Sequence, residues 1–336
     1  MNSLLNKSEL TNGVEIHTDL LSTVPTALSI KRAQRLGKPH QEPNKDELGV
    51  DGCRLCNPEK LAGKPKLDFV AGGKVASFPN AAPFLPYDQK VLFVWHDDVA
   101  IRKGKIHITK LGELRKIDFY LLLKGVIECA RRFAKNPITS YDIPRMVLGF
   151  NFGKLAGQTI PHIHAQYGWD SHVSRETICD RRLGLYYREL AQEQLIIYPQ
   201  DENNGEVKLI APWSPRGQYH VDLHFARYEI HKFSERDIKI FAHFAWRIVK
   251  HYVETLGIQN INIVFMGSPL QREVVPVVAQ FVPRINMPAL YEVLGVNVVD
   301  TPPSAVAASF RSICWQEEVK IAEAYDPEED WKNLIS

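Results

Sequence analysis

Short apolar runs and long amphipathic stretches alternate along the chain in an order that occurs twice. In the first half, Val91-Leu-Phe-Val-Trp95 is an apolar, β-branched and aromatic run of strand length. Leu111 to Phe133 carries apolar residues at helical spacing around Ile117, Tyr120, Leu121, Val126 and Ile127, which predicts a long amphipathic helix. Met146-Val-Leu-Gly-Phe150 and Ile160 to Tyr167 follow as strands, separated by Gly153 and Gly157. The second half runs in the same order. Glu206–Ile210 and Tyr219–Phe225 read as strands, Glu235–Leu256 as a long helix, and Ile261–Phe265 and Val274–Val282 as strands again.

Local echoes accompany this order: Phe84-Leu-Pro-Tyr-Asp-Gln89 resembles Trp213-Ser-Pro-Arg-Gly-Gln218, and Ala165-Gln166-Tyr167 resembles Ala279-Gln280-Phe281. Two copies are too few for a solenoid. They predict an α+β protein of tandem units, with antiparallel sheet and one long helix per half. The expected organisation is an arm over 1–74, a first unit over 75–190, a second over 191–315, and a tail over 316–336. Within the arm, residues 1–50 are polar and irregular, and Lys31, Arg32, Arg35 and Lys38 lead into a Pro-, Asn- and Glu-rich stretch.

Composition narrows the picture only slightly. The chain has 336 residues, is 45% hydrophobic and 24% charged, and carries a net charge of +2 without a basic tract, so a polynucleotide partner is not expected. A mononucleotide or sugar phosphate needs only a few local cations and stays open. The N-terminus has no apolar signal-like core, and no apolar run is long enough to span a bilayer, so no membrane association is expected and a cytoplasmic location is.

The candidate chemistry is concentrated in two strings. On a strand, His162-Ile163-His164 would present both imidazoles on one face, with Gln166 continuing the polar row and Ile163 and Ala165 packing behind it. Imidazole can serve there as nucleophile, metal ligand or donor. The preceding Gly153-Lys-Leu-Ala-Gly-Gln-Thr159 suits close backbone approach to an anion, with Lys154 beside the glycines. The second string is Cys53-Arg-Leu-Cys56. Two thiolates and two imidazoles make a tetrahedral zinc site; the alternatives are a redox pair or an idle thiol pair. His162, His107 and His96 are the candidate imidazoles. Of the other three cysteines, Cys129 and Cys314 read as buried and inert, and Cys179 has no partner nearby in sequence.

The string Pro161-His-Ile-His-Ala-Gln166 resembles the active-site motif of the galactose-1-phosphate uridylyltransferase branch of the histidine-triad superfamily, where Gln replaces the third His. Cys53-Arg-Leu-Cys56, Phe78-Pro79-Asn80, His107-Ile-Thr-Lys-Leu-Gly-Glu-Leu114 and Phe150-Asn151-Phe-Gly153 resemble that branch in the same order, over most of residues 30–310. The resemblance implies tandem histidine-triad units and a nucleotidyltransferase acting on a nucleoside diphosphate sugar or a sugar-1-phosphate, hence a place in carbohydrate metabolism. It makes His164 the nucleophile of a covalent nucleotidyl-histidine and Gln166 the donor to the phosphoryl oxygen. Asn151 and Thr159 would contact phosphates and nucleotide, Asn80 the nucleoside, and Arg32 and Arg35 the ligand from the arm. Cys53, Cys56, His107 and His162 would hold a structural zinc, and His96 would lie at the surface. A phosphorylase or hydrolase of dinucleoside polyphosphates or nucleotide sugars shares the motif and is the alternative. A homodimer is common in the branch.

The second half departs from the pattern. Val278-Ala-Gln280-Phe281 stands where uridylyltransferases carry His-x-His-Phe of a second metal site, so no second metal is expected. Val298 falls where the family places a hexose-binding glutamine, which argues against galactose specificity. Arg284 is a candidate phosphate partner. His220 and His224 share a strand face but are expected to be surface or internally satisfied residues.

Overall fold

A computed structural model describes residues 6–10, 14–18, 26–29, 49–61, 64–80, 87–135, 145–170, 180–199, 206–268, 275–285, 297–313 and 315–336. Arg32, Arg35, Cys179, Cys314 and the segment Phe84–Pro86 lie outside the described residues.

Ten strands form one sheet: β1 (Asp68–Val70), β2 (Val75–Pro79), β3 (Tyr87–Val94), β4 (Arg145–Phe152), β5 (Ala165–Asp170), β6 (Ile196–Tyr198), β7 (Val207–Ile210), β8 (Val221–Phe225), β9 (Ile261–Met266) and β10 (Val278–Pro283). Their order is β1-β2-β3-β5-β4-β9-β10-β8-β7-β6, all antiparallel. Read from either edge toward the middle, each half has the same order, and the halves meet where Asn151 pairs with Asn262 and Gly149 with Val264. The echo between Gln166 and Gln280 is therefore positional: Gln166 lies between Val91 and Gly149, and Gln280 between Asp222 and Val264.

Strand alternation gives the sheet two unlike faces. Leu92, Val94, Met146, Leu148, Phe150, Ala165, Tyr167, Ile261, Ile263, Phe265, Ala279 and Phe281 point to one side and join a single large core. Two helices cover that side, α1 (Lys116–Lys135) and α3 (Glu235–Glu254), each between the third and fourth strands of its half. In α3, Ile238, Phe241, Ala245, Ile248 and Tyr252 recur at helical spacing and are buried, and a Ser234–Asp237 capping box fixes the start. Phe241 touches Phe119 of α1 and the sheet residues Phe150, Phe265 and Phe281, so one ring ties both halves together. Gly125 lets α1 settle on the sheet, because a Cβ there would lie 2.9 Å from a Val75 methyl.

Three features differ from the expectation. Residues 6–10, 14–18 and 26–29 are strands, forming a small sheet with 297–299, which runs parallel to 26–29. Val14-Glu-Ile-His-Thr does alternate with period two, and His17 stacks on Trp213 at 4.3 Å, tying the small sheet to the second half. The expected strand at Ile160–Tyr167 begins only at Ala165, so His162 and His164 lie on the irregular segment that enters it. Residues 318–323 and 327–335 are helices, and the buried Glu318 carboxylate pairs with His243 and Arg247 of α3.

Candidate active site

The face of the first half away from the helices carries the site. Val91 and Phe93 on β3 and Trp95 just past its end, with Ala76 and Phe78 on β2, form a second apolar cluster with Cys53, Leu55, Cys56 and Leu61. The Cys-x-x-Cys turn is held by its own polar groups. The Asn57 side chain donates to the carbonyls of Cys53, Val50 and Asp51 at 2.9, 3.2 and 3.4 Å. Arg102 stacks on Trp95 at 4.0 Å and donates to the Cys56, His96 and Asp97 carbonyls.

Four side chains converge here. Cys53 Sγ is 3.3 Å from His162 Nδ1, Cys56 Sγ is 3.3 Å from His107 Nδ1 and 3.5 Å from His162 Nδ1, and the two Nδ1 atoms are 3.3 Å apart. All four ligand atoms lie within 4.8 Å of one another. A tetrahedral zinc with Zn–S of about 2.3 Å and Zn–N of about 2.0 Å separates its ligand atoms by about 3.3–3.8 Å. The observed separations match those edges, and so many mutual contacts among four atoms cannot all be hydrogen bonds. Without a cation the two cysteine pKa values move in opposite directions. The hydrogen bond from Cys56, aided by His107 and His162, brings the Cys53 thiol far down; the same contact and burial push Cys56 up. A cation at the centre removes the need to keep either thiol protonated. Among the described residues, this is the one such cluster of His, Cys, Asp and Glu. His96 does not join it: it is half-buried, accepts from the Asp98 N–H and lies near Trp331.

The nucleophile candidate is fixed by the same segment. His107 is placed by the loop before α1, where Arg115 is paired with the fully buried Asp118 and donates to the Lys105 carbonyl. The Ile163 N–H then donates to the Ile108 carbonyl at 3.0 Å, stitching that loop to the histidine segment while Ile163 enters the large core. On the opposite side, His164 Nδ1 lies 2.8 Å from the His162 carbonyl. A carbonyl can only accept, so Nδ1 carries the proton and Nε2 keeps its lone pair. The Gln166 amide lies 3.4 Å from that Nε2. Burial pushes the His164 imidazole below its usual range, which favours the neutral ring. The segment thus presents a neutral imidazole whose unprotonated Nε2 faces an amide donor.

The glycine segment is a tight turn. Lys154–Ala156 form one short 3₁₀ turn between Gly153 (φ 84°) and Gly157 (φ 82°), both at positive φ where a side chain would be strained. Thr159 and Lys154 are exposed at its rim. Asn151 and Asn80 lie on the same sheet face as Gln166. Asn151 is level with His164, one residue beyond the Phe150–Ala165 pair. Asn80 lies just past β2, its N–H donating to the Gln89 carbonyl.

Several residues that the motif search passed over belong to this arrangement. Gln158 accepts from the Gly153 N–H at 2.8 Å and donates to the His162 carbonyl at 3.4 Å, linking the glycine turn to the group that orients His164. Asn262 donates to Asn151 Oδ1 at 2.7 Å and to the Ala156 carbonyl at 2.8 Å, and Asn260 accepts from the Leu155 N–H. Alternating Asn260 and Asn262 against an otherwise apolar strand was the available signal. Arg284 Nε donates to Asn262 Oδ1 at 2.5 Å.

His220 and His224 are not surface residues; they are 1% and 2% exposed. Between them is the equally buried Asp222, with His220 Nε2 2.7 Å and His224 Nε2 3.9 Å from its oxygens, and Tyr187 of α2 (Asp180–Gln192) meets His224 at 2.9 Å. Burial would raise the Asp222 carboxyl, but the two histidines more than offset it and hold it well below the usual range. Val298 pairs with Ala27 in the small sheet. Cys129 is fully buried in the large core, and burial pushes its thiol up. No helix among the described residues is long and apolar enough to cross a membrane.

No protein-family model matches the chain, and no curated protein matches it. Solved structures do. The chain is similar to an ADP-glucose phosphorylase from Arabidopsis thaliana with bound ADP-glucose, at 14% identity and a TM-score of 0.66 over 91% of this chain and 100% of that one. It is similar to a galt-like protein from Arabidopsis thaliana, at 14% identity and 0.64 over 90% and 100%. A uridylyltransferase mutant follows at 14% identity and 0.56, over 74% of this chain and 89% of that one. The chain therefore shares the fold of these structures, which in this chain is a doubled antiparallel sheet with one long helix per half.

Proposed function

We propose that the chain is a nucleotidyltransferase in which His164 Nε2 attacks the α-phosphate of a nucleoside diphosphate sugar. The observation that carries this reading is the His164–His162 carbonyl bond, which fixes the tautomer and leaves Nε2 as a nucleophile facing Gln166. As the Nε2–P bond forms, the P–O bond to the leaving phosphate breaks and its electron pair departs on that oxygen. Gln166 donates its amide N–H to the phosphoryl oxygen where charge accumulates. In the second step an acceptor oxygen displaces Nε2, regenerating the neutral histidine. Thr159, Lys154 and Asn151 would hold phosphate and nucleotide oxygens, and Asn80 the nucleoside. We assign 75–190 as the catalytic unit and 191–315 as a degenerate partner.

Cys53, Cys56, His107 and His162 would hold zinc. Four protein ligands leave no open position, so the ion would serve structure by fastening the Cys-x-x-Cys turn to the segment that orients His164.

The likeness to an ADP-glucose phosphorylase supports orthophosphate as an acceptor beside a sugar-1-phosphate. Replacement of the family's hexose-binding glutamine by Val298 favours the same reading. Turnover of a panel of nucleotide sugars and dinucleoside tetraphosphate, with orthophosphate or sugar-1-phosphates as acceptors, tests it. Acceptor-dependent release of the nucleotide from at least one donor, abolished in His164→Ala, is expected. No turnover of any donor would refute it.

A further inference from the structure

The second half grips the glycine turn through two asparagines. Asn260 stands just before β9 and Asn262 is its second residue; both are buried, so their amides are satisfied from within the protein. Asn260 Oδ1 accepts the Leu155 N–H at 3.2 Å. The other amides of the turn are engaged as well. The Gly153 N–H donates to the Gln158 side chain, the Ala156 N–H to the Gly153 carbonyl and the Gly157 N–H to the Lys154 carbonyl. With these N–H groups spent, donors for a phosphate beside His164 come from side chains.

Donor and acceptor chemistry fixes the ends of two of those side chains. Arg284 Nε carries a hydrogen and no lone pair, so the Asn262 atom it meets at 2.5 Å is the oxygen. The other end of Asn262 is its NH2, in agreement with its 2.8 Å bond to the Ala156 carbonyl, which can only accept. The same NH2 lies 2.7 Å from Asn151 and takes the Asn151 oxygen. The Asn151 NH2 therefore faces away from Asn262, and no group among the described residues accepts from it. Turning Asn151 over would set two NH2 groups against each other. Position decides what the outward NH2 meets. Asn151 is half-buried on β4, on the face that carries Gln166 and level with His164 one strand away. With strands about 4.8 Å apart, side chains at one level on neighbouring strands reach the same small group.

We propose that Asn262 is a positioning residue supplied by the second half. Held by Arg284, it turns Asn151 so that its NH2, and not its carbonyl, faces an oxygen of the phosphate that His164 attacks. This assignment rests on the nucleotidyl-transfer reading, in which Asn151 touches the ligand; Asn262 decides which end of the amide does so. Asn151 and Gln166 then flank one phosphoryl group with two neutral donors. The second half, with Val278 and Gln280 in place of histidines, thereby takes part in the chemistry of the first.

Binding of AMP and UMP to the zinc-loaded full chain, and the rate of adduct formation, test the relay. Asn151→Asp keeps the acceptor for Asn262 and sets a carboxylate toward the phosphate, so affinity and rate should fall by about 10–100-fold. Asn262→Asp keeps the bond from Arg284 but draws the Asn151 NH2 inward and turns its carbonyl out, and a loss of about 10–100-fold is expected again. A double-mutant cycle separates this relay from bracing of the turn. In an Asn151→Ala background, Asn262→Asp should cost less than about twofold more, because its effect travels through Asn151. An equal loss in both backgrounds would place the effect in the Ala156 bond and overturn the relay, as would unchanged affinity and rate in Asn262→Asp alone. Zinc content and thermal unfolding identify a misfolded variant. If Asn262→Asp is one, Asn151→Asp carries the test, and undiminished affinity and rate in it overturn the relay. If wild type binds a nucleotide with this dependence yet forms no adduct, the transfer reading fails and the relay stands. A wild type that neither forms an adduct nor binds either nucleotide overturns both.

Discussion

Removing zinc should release residues 49–61 from the sheet and disable His164 from a distance. Ordering this segment costs about 1–1.5 kcal/mol per residue, on the order of 13–20 kcal/mol in all. Its two buried leucines, Leu55 and Leu61, return about 3–6 kcal/mol. The buried cysteines and the Asn57 and Arg102 hydrogen bonds add about 3–5 kcal/mol more. A deficit on the order of 5–10 kcal/mol remains, and a structural zinc supplies about 10–16 kcal/mol in apparent terms. On the proposed zinc reading, the metal closes this gap. Cys53→Ser should lose bound zinc by elemental analysis, and hydrogen exchange should find the amides of 49–61 unprotected while α1 and α3 keep theirs. Because His162 would ligate the zinc and also supplies the carbonyl that orients His164, adduct formation should fall by about 10–100-fold. Full protection of 49–61 after chelation, or unchanged zinc in Cys53→Ser, would refute the reasoning.

Other expectations concern the nucleophile's surroundings. Gln166→Ala should lower the rate of adduct formation by about 10²–10³-fold with little change in thermal stability, read by single-turnover kinetics. Gln158→Ala should lower that rate by about tenfold without altering zinc content, because it frees the His162 carbonyl and the glycine turn but touches none of the four metal-ligating atoms. The pH profile follows from the lowered His164 pKa. Only the neutral ring attacks, so the rate should hold as pH falls through about 6.5, the free-histidine value, and decline only below it. The same shift makes His164 stabilise the fold above that pH, a contribution lost as acid protonates the ring.

The motif residues and the helical core were legible because their signals are local. Ile163 between two histidines, and the i, i+3, i+7 spacing of Ile238, Phe241 and Ala245, state their own burial. The match between Gln166 and Gln280 was legible as a short echo, and the sheet gives it physical sense. Features that depend on distant pairing were not. Nothing near residues 26–29 signals that their partner is Asn297–Val299. For His220 and His224 the sequence left surface exposure and internal satisfaction both open, because their partners, Tyr187 from α2 and a buried carboxylate between them, assemble only in the fold. Asp222 did stand between them in sequence, but an aspartate in a strand more often marks the solvent side. The late start of β5 follows from His164, whose Nδ1 takes the carbonyl of its own neighbour in place of a ladder bond.

The central claim is a covalent nucleotidyl group on His164. Wild-type protein should be mixed with donors one at a time, quenched within the first turnover, and analysed by intact mass and peptide mapping. A gain equal to one nucleoside monophosphate, mapped to His164, absent in His164→Ala and discharged by orthophosphate or a sugar-1-phosphate, is the expected result. Acceptor-dependent turnover with no adduct, or an adduct mapped to another residue, would contradict the account.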